Sequence, residues 1–72
     1  MPKYDLVGVD SNAYSIIGYV QRAMRMEHYS QEEVNNYIKD ARSGDYNHLL
    51  ATSIDMIDEL NSKYKTDEEE YE

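Results

Sequence analysis

The sequence predicts a mainly α protein: a short N-terminal β-strand, then a three-helix bundle, then a disordered acidic C-terminal tail. Three observations carry that prediction. Apolar residues recur at i, i+3, i+4 and i+7 in three separate stretches, the stripe of an amphipathic helix that faces a core. Each stretch is preceded by side chains able to cap a helix N-terminus. The last six residues, Asp67 to Glu72, hold five carboxylates and no apolar period, and like charges keep such a segment unfolded. The same reading gives one small helical domain over residues 1–65 and a tail over 66–72.

Taken in order, Lys3-Tyr4-Asp5-Leu6-Val7-Gly8-Val9 has the composition and rough alternation of a strand. Nothing later resembles a second strand. Its unpaired backbone groups leave two readings open: pairing with the same strand of another copy about a two-fold axis, or an extended arm laid across the helices. Asp10, Ser11 and Asn12 are all good caps, so the first helix starts among them and runs to about Glu27. Its core stripe is Ala13, Ile16, Ile17, Val20, Ala23 and Met24. His28 and Tyr29 form the break, and Ser30-Gln31-Glu32-Glu33 is a capping box with Tyr29 and Val34 as its hydrophobic staple. Val34, Tyr37, Ile38 and Ala41 then define a second helix over about 31–42. In Ser43-Gly44-Asp45, Gly44 suits a left-handed helix end and Asp45 caps the third helix. That helix carries Tyr46, Leu49, Leu50, Ser53, Met56, Ile57 and Leu60 on one stripe, with Glu59 and Lys63 as an i,i+4 ion pair near its end.

A chain of 72 residues buries only about 60% of the surface that its unfolded form exposes, so its own core is marginal. With no cysteine there is no disulfide to compensate, and assembly into a symmetric homo-oligomer, a dimer or higher, is the expected remedy. No apolar run reaches the roughly 18 residues of a membrane span, and the first residues lack the basic and apolar regions of a signal peptide. The expectation is a soluble protein of the cytoplasm. The formal charge is −8, and residues 67–72 contribute five of those negative charges, which leaves −3 for residues 1–66. Seven Lys and Arg residues do not form the clusters that phosphate backbones need, so direct nucleic-acid binding is not expected. All eight aromatic residues are tyrosines, which supply contact area and a hydroxyl together.

Catalytic and metal chemistry find little support in the residues. His28 and His48 occur in unrelated local settings without the spacing of metal ligands. Ser11, Ser15, Ser43 and Ser53 read as caps and small packing residues, and the carboxylates lie on solvated faces or in the tail. The chain is therefore read as non-enzymatic, with no cofactor. The candidate site is the first helix opposite its core stripe, where Tyr14, Gly18, Gln21, Arg22 and Arg25 follow one another at three- or four-residue spacing. Gly18 costs a helix about 1 kcal/mol relative to Ala and adds nothing to the core, so a close approach by a partner helix or a ligand is expected there. Ser11 and Asn12 at the helix start, whose free N–H groups can receive an anion, and His48 complete the candidate set.

Val9-Asp10-Ser11-Asn12-Ala13-Tyr14-Ser15-Ile16-Ile17-Gly18, with Ser43-Gly44-Asp45-Tyr46-Asn47-His48-Leu49-Leu50, resembles a set of short proteins found in bacteria, their phages and prophages. The likeness spans roughly residues 4 to 60. Its members carry Asp-Gly-Asn-Ala-aromatic where this chain has Asp10-Ser11-Asn12-Ala13-Tyr14, so Ser11 departs from the pattern. The resemblance implies a phage or mobile-element setting, in which small acidic proteins often block a host or defence component. Two functions follow as expectations. One is a binding protein that inhibits a host macromolecule, its acidic tail and tyrosine-rich surface meeting a basic partner. The other is an oligomer that sequesters a nucleotide-type signal between subunits, with Arg22 or Arg25 on the phosphate and Tyr14 stacked on the base.

Overall fold

The computed structural model describes the backbone of residues 3–69 and the side chains of residues 3–63. Three helices, α1 (Ala13–Met26), α2 (Gln31–Ala41) and α3 (Tyr46–Glu69), pack pairwise into an up-down-up bundle. The Tyr46 hydroxyl donates to the Ser11 carbonyl and ties the starts of α1 and α3 together. Ile16, Val20, Ala23 and Met24 of α1, Val34, Tyr37 and Ala41 of α2, and Leu49, Ile57 and Leu60 of α3 form the core. Val20, Met24, Val34 and Leu60 are wholly inaccessible, each worth about 1.5–3 kcal/mol of burial. Ser53 is buried too, and its Oγ lies 2.6 Å from the Tyr37 hydroxyl, which satisfies both groups inside the core.

The expected strand over 3–9 is not formed: among the described residues there is no strand, and this segment is an arm held to α1 and α3 by hydrogen bonds to Tyr19, Glu27 and Asn61. One side chain accounts for the difference. Asn61 of α3 accepts the Tyr4 N–H at 2.9 Å and donates its own amide to the Tyr4 carbonyl at 2.9 Å, the two bonds that a neighbouring strand would have made. The Tyr4 ring is buried, and its hydroxyl donates to Glu27, which also takes the Lys3 ammonium at 3.0 Å. Further along the arm, Asp5 caps the Val7 N–H, and a turn at Gly8, φ +93°, returns the chain toward α1. The unpaired-strand argument for oligomerisation therefore falls away, because the arm is satisfied within its own chain.

Asn12 is the cap of α1, its Oδ1 accepting the Tyr14 N–H at 2.7 Å, while Asp10 turns onto the Asn12 N–H at 3.2 Å. The helix ends in a Schellman motif: Tyr29 N–H bonds to the Met24 carbonyl and His28 N–H to the Arg25 carbonyl, with His28 itself left-handed at φ 69°. The Ser30–Glu33 capping box is present in full at the start of α2. Gly44 is not left-handed as the sequence suggested; Gly8 is the described glycine with positive φ. What Gly44 supplies is room, since a Cβ there would stand 2.9 Å from Cβ and Cγ of His48. Asp45 caps α3 by accepting the His48 N–H at 2.9 Å. The backbone of α3 stays helical through Glu69, so residues 66–69 of the expected disordered tail extend the helix. The rest of that tail, 70–72, lies outside the described residues.

Candidate functional site

Tyr14, Gly18, Gln21, Arg22 and Arg25 share the outer face of α1 through helical spacing alone. Tyr14 is 80% exposed, and nothing lies within 4 Å of where a Gly18 Cβ would be. Arg22 and Arg25 are exposed, and Arg25 reaches only the Gln31 amide oxygen, at 3.5 Å. Gly18 is thus not required by any contact within the chain. Ser11 and Asn12 sit at the same end but are engaged, Ser11 through its carbonyl with Tyr46 and Asn12 as the cap. With Asp10 and Asn12 occupying N–H groups there, the start of α1 has met part of its own demand for an acceptor.

His48 stands apart from this face. Its Nε2 lies 2.9 Å from the Asp40 carbonyl and 3.2 Å from the Asp40 carboxylate, so it fastens the first turn of α3 to the last turn of α2. This is a structural position, and among the described residues no group of three or more His, Asp or Glu is arranged to hold a metal ion. Nor is any described helix long and apolar enough to cross a membrane.

A second surface was missed by the sequence reading. Between α2 and α3 runs a groove of about 420 Å³ with Met24, Tyr37 and Met56 along its floor. Glu33, Asn36 and Asp40 of α2 line one side and Thr52, Asp55 and Glu59 of α3 the other. A cation already sits at one end: the Lys63 ammonium lies 4.2 Å from the centre of the Tyr29 ring. The Tyr29 hydroxyl donates to Glu59 at 2.5 Å, so Glu59 and Lys63 each engage that tyrosine and the predicted direct Glu59–Lys63 ion pair is not formed; the ion pairs among the described residues are Lys3–Glu27 and His48–Asp40. Bonding to Tyr29, then the nearby Glu59 and Glu33 charges, push the Lys63 pKa up. Glu33 is held below the usual carboxylate range, first by the Ser30 backbone N–H and then by its hydroxyl, which keeps it ionised in the groove wall.

The signal for this groove is present in the sequence as two polar stripes, Glu33/Asn36/Asp40 and Thr52/Asp55/Glu59, each at i, i+3, i+7. Taken singly, each is an ordinary solvated helix edge. Only the antiparallel packing of α2 on α3 turns them toward one another.

The fold and the groove define a small helical bundle with an acidic, aromatic-ended cleft. Compared with protein-family models, with curated proteins and with solved structures, the chain finds no match.

Proposed function

We propose that the protein is a small non-enzymatic binding protein whose α2–α3 groove takes a lysine- or arginine-bearing segment of a partner protein. The observation that carries this reading is the groove itself, four carboxylates above a Met24–Tyr37–Met56 floor, with the chain's own Lys63 standing on Tyr29 in the manner of a partner's cation. An apolar floor supplies affinity and the flanking carboxylates select charge and speed encounter. The acidic segment 67–72 adds to the same long-range attraction. In the phage or prophage setting that the resemblance implies, the partner is a cytoplasmic host protein, and occupying its basic surface is a route to inhibiting a defence component. A nucleotide-type ligand is disfavoured at this groove, where phosphates meet Glu33, Asp40, Asp55 and Glu59; the outer face of α1, with Tyr14, Arg22 and Arg25, is the surface that would favour it.

The test is a site-resolved amide chemical-shift titration of the full chain with an amphipathic lysine–leucine peptide, a glutamate–leucine peptide and a panel of nucleotides. The lysine peptide is expected to move amides of Glu33, Asn36, Asp40, Thr52, Asp55 and Glu59. Asp55→Lys should weaken it about fivefold, and Asp58→Lys, the same charge change outside the groove, by less than about twofold. Shifts confined to 67–72, or a response to nucleotides centred on Tyr14 and Arg22, would overturn the assignment.

A further inference from the structure

The outer face of α1 is symmetric about Gly18. Tyr14 lies four residues before it and Arg22 four after, so an aromatic ring and a guanidinium flank the glycine on one i±4 ridge. Ser11 and Arg25 lie seven before and seven after, with Asp10 next to Ser11. A helix with this order matches a second copy of itself running the opposite way. We propose that the protein forms a two-fold dimer in which α1 crosses α1 of a second copy at Gly18, each Arg22 stacking on the other copy's Tyr14.

Four features of the single chain support the second copy as occupant. Tyr14 is 80% exposed although its chain buries Tyr4 and Tyr37. The surface over Gly18 is open, with no atom within 4 Å of a would-be Cβ, and closest approach of two helices wants a residue without one. The charges complement only in the antiparallel sense: Arg25 of one copy comes to the Asp10 end of the other, whereas a parallel pair sets arginine against arginine. The two helix dipoles are also opposed in that arrangement. The crossing follows from ridge packing, because helices meeting at about −50° lay their i±4 rows side by side. The dimer leaves the α2–α3 groove of each copy uncovered, since Glu33, Asp40, Asp55 and Glu59 lie on other helices, and two grooves on one particle raise the avidity for a partner with repeated basic segments. This inference does not rest on the groove's function, and either stands if the other fails.

The experiment is sedimentation equilibrium of the full chain across the micromolar range, with helix content and melting recorded for every variant to show that it folds. The wild type should be a dimer. Tyr14→Arg, which sets arginine against Arg22 of the second copy, and Arg22→Glu should each weaken dimerisation about tenfold or more. The double exchange Tyr14→Arg with Arg22→Tyr recreates the same pair in reverse and should return the dissociation constant to within about threefold of wild type. A monomeric wild type overturns the proposal, as does a double exchange that stays as weak as Tyr14→Arg alone. Dissociation by Ile54→Glu on exposed α3, with Tyr14→Arg harmless, would put the interface elsewhere and overturn it equally.

Discussion

Two glycine neighbourhoods of this bundle, Gly44 between α2 and α3 and Gly18 within α1, differ in what surrounds them. At the α2–α3 corner a Cβ on Gly44 would meet His48 at 2.9 Å, and His48 in turn is bonded to Asp40. On the outer face of α1 a Cβ on Gly18 would meet nothing within 4 Å, beside a tyrosine left 80% exposed. The α2–α3 side is crowded and internally bonded: His48 on Asp40, Tyr37 on Ser53, Lys63 on Tyr29. Its groove is therefore preorganised, with little side-chain freedom left to lose when a partner binds. On the α1 face the side-chain bond within the chain is the long one from Arg25 to Gln31, at 3.5 Å, and the glycine has a use only if another molecule approaches.

The sharpest way to break this contrast is at the residue common to both sides. Met24 is wholly buried, belongs to the inner stripe of α1 and lies under the groove. Met24→Ala should cost about 2–5 kcal/mol in denaturant unfolding and loosen the groove and the α1 packing together. If the groove keeps its affinity for the lysine peptide in that variant, its floor is not what holds it.

Next in size is Gly44→Ala, expected to destabilise by about 1–3 kcal/mol because the His48 ring must move and its bonds to Asp40 with it. Chemical denaturation measures this directly, and loss of the His48 side-chain shifts in the variant would locate the cause. A neutral result would mean that the corner is as yielding as the α1 face.

Acid should act first on the latch that pins the N-terminal arm. Glu27 has its pKa lowered from 4.5, first by the Tyr4 hydroxyl and then by the Lys3 ammonium. Below pH 4.5 the unfolded chain then binds this proton more readily than the folded one. The stabilisation is fully present above that pH and is lost as pH falls through the lowered value. Amide exchange in residues 4–9 should accelerate over this window before α2 opens, and Glu27→Gln should remove the pH dependence. Simultaneous opening of arm and α2 would contradict a local latch.

How much of this was legible in the sequence depends on how many segments each feature needs. Caps, capping box and core stripes are properties of one stretch, and Asn12, Ser30, Glu33 and Asp45 perform the roles their spacing predicts. The outer face of α1 is likewise one helix and was visible from its period. Composition predicts a strand over 3–9, with an arm as the other open reading, and cannot separate the two because the segment's partner is a single amide 57 residues away, Asn61, which no local pattern announces. The sequence predicts a left-handed Gly44, whereas the reason for a glycine there is a ring four residues on. The groove escaped because its two walls are twelve or more residues apart in the chain and become one surface only when α2 packs on α3.

The smallest energetic effect gives the most direct test. Gly18→Ala adds a methyl where the single chain has open space, so the protomer itself should gain about 0.5–1 kcal/mol from helix propensity and a restricted unfolded state. Unfolding at concentrations below self-association, followed by sedimentation equilibrium of the same sample after concentration, separates the protomer from its assembly. The account predicts a protomer that melts higher and a dimer that dissociates more readily, because the methyl stands where the second α1 crosses. A variant that is more stable and dimerises as tightly as the wild type would contradict it.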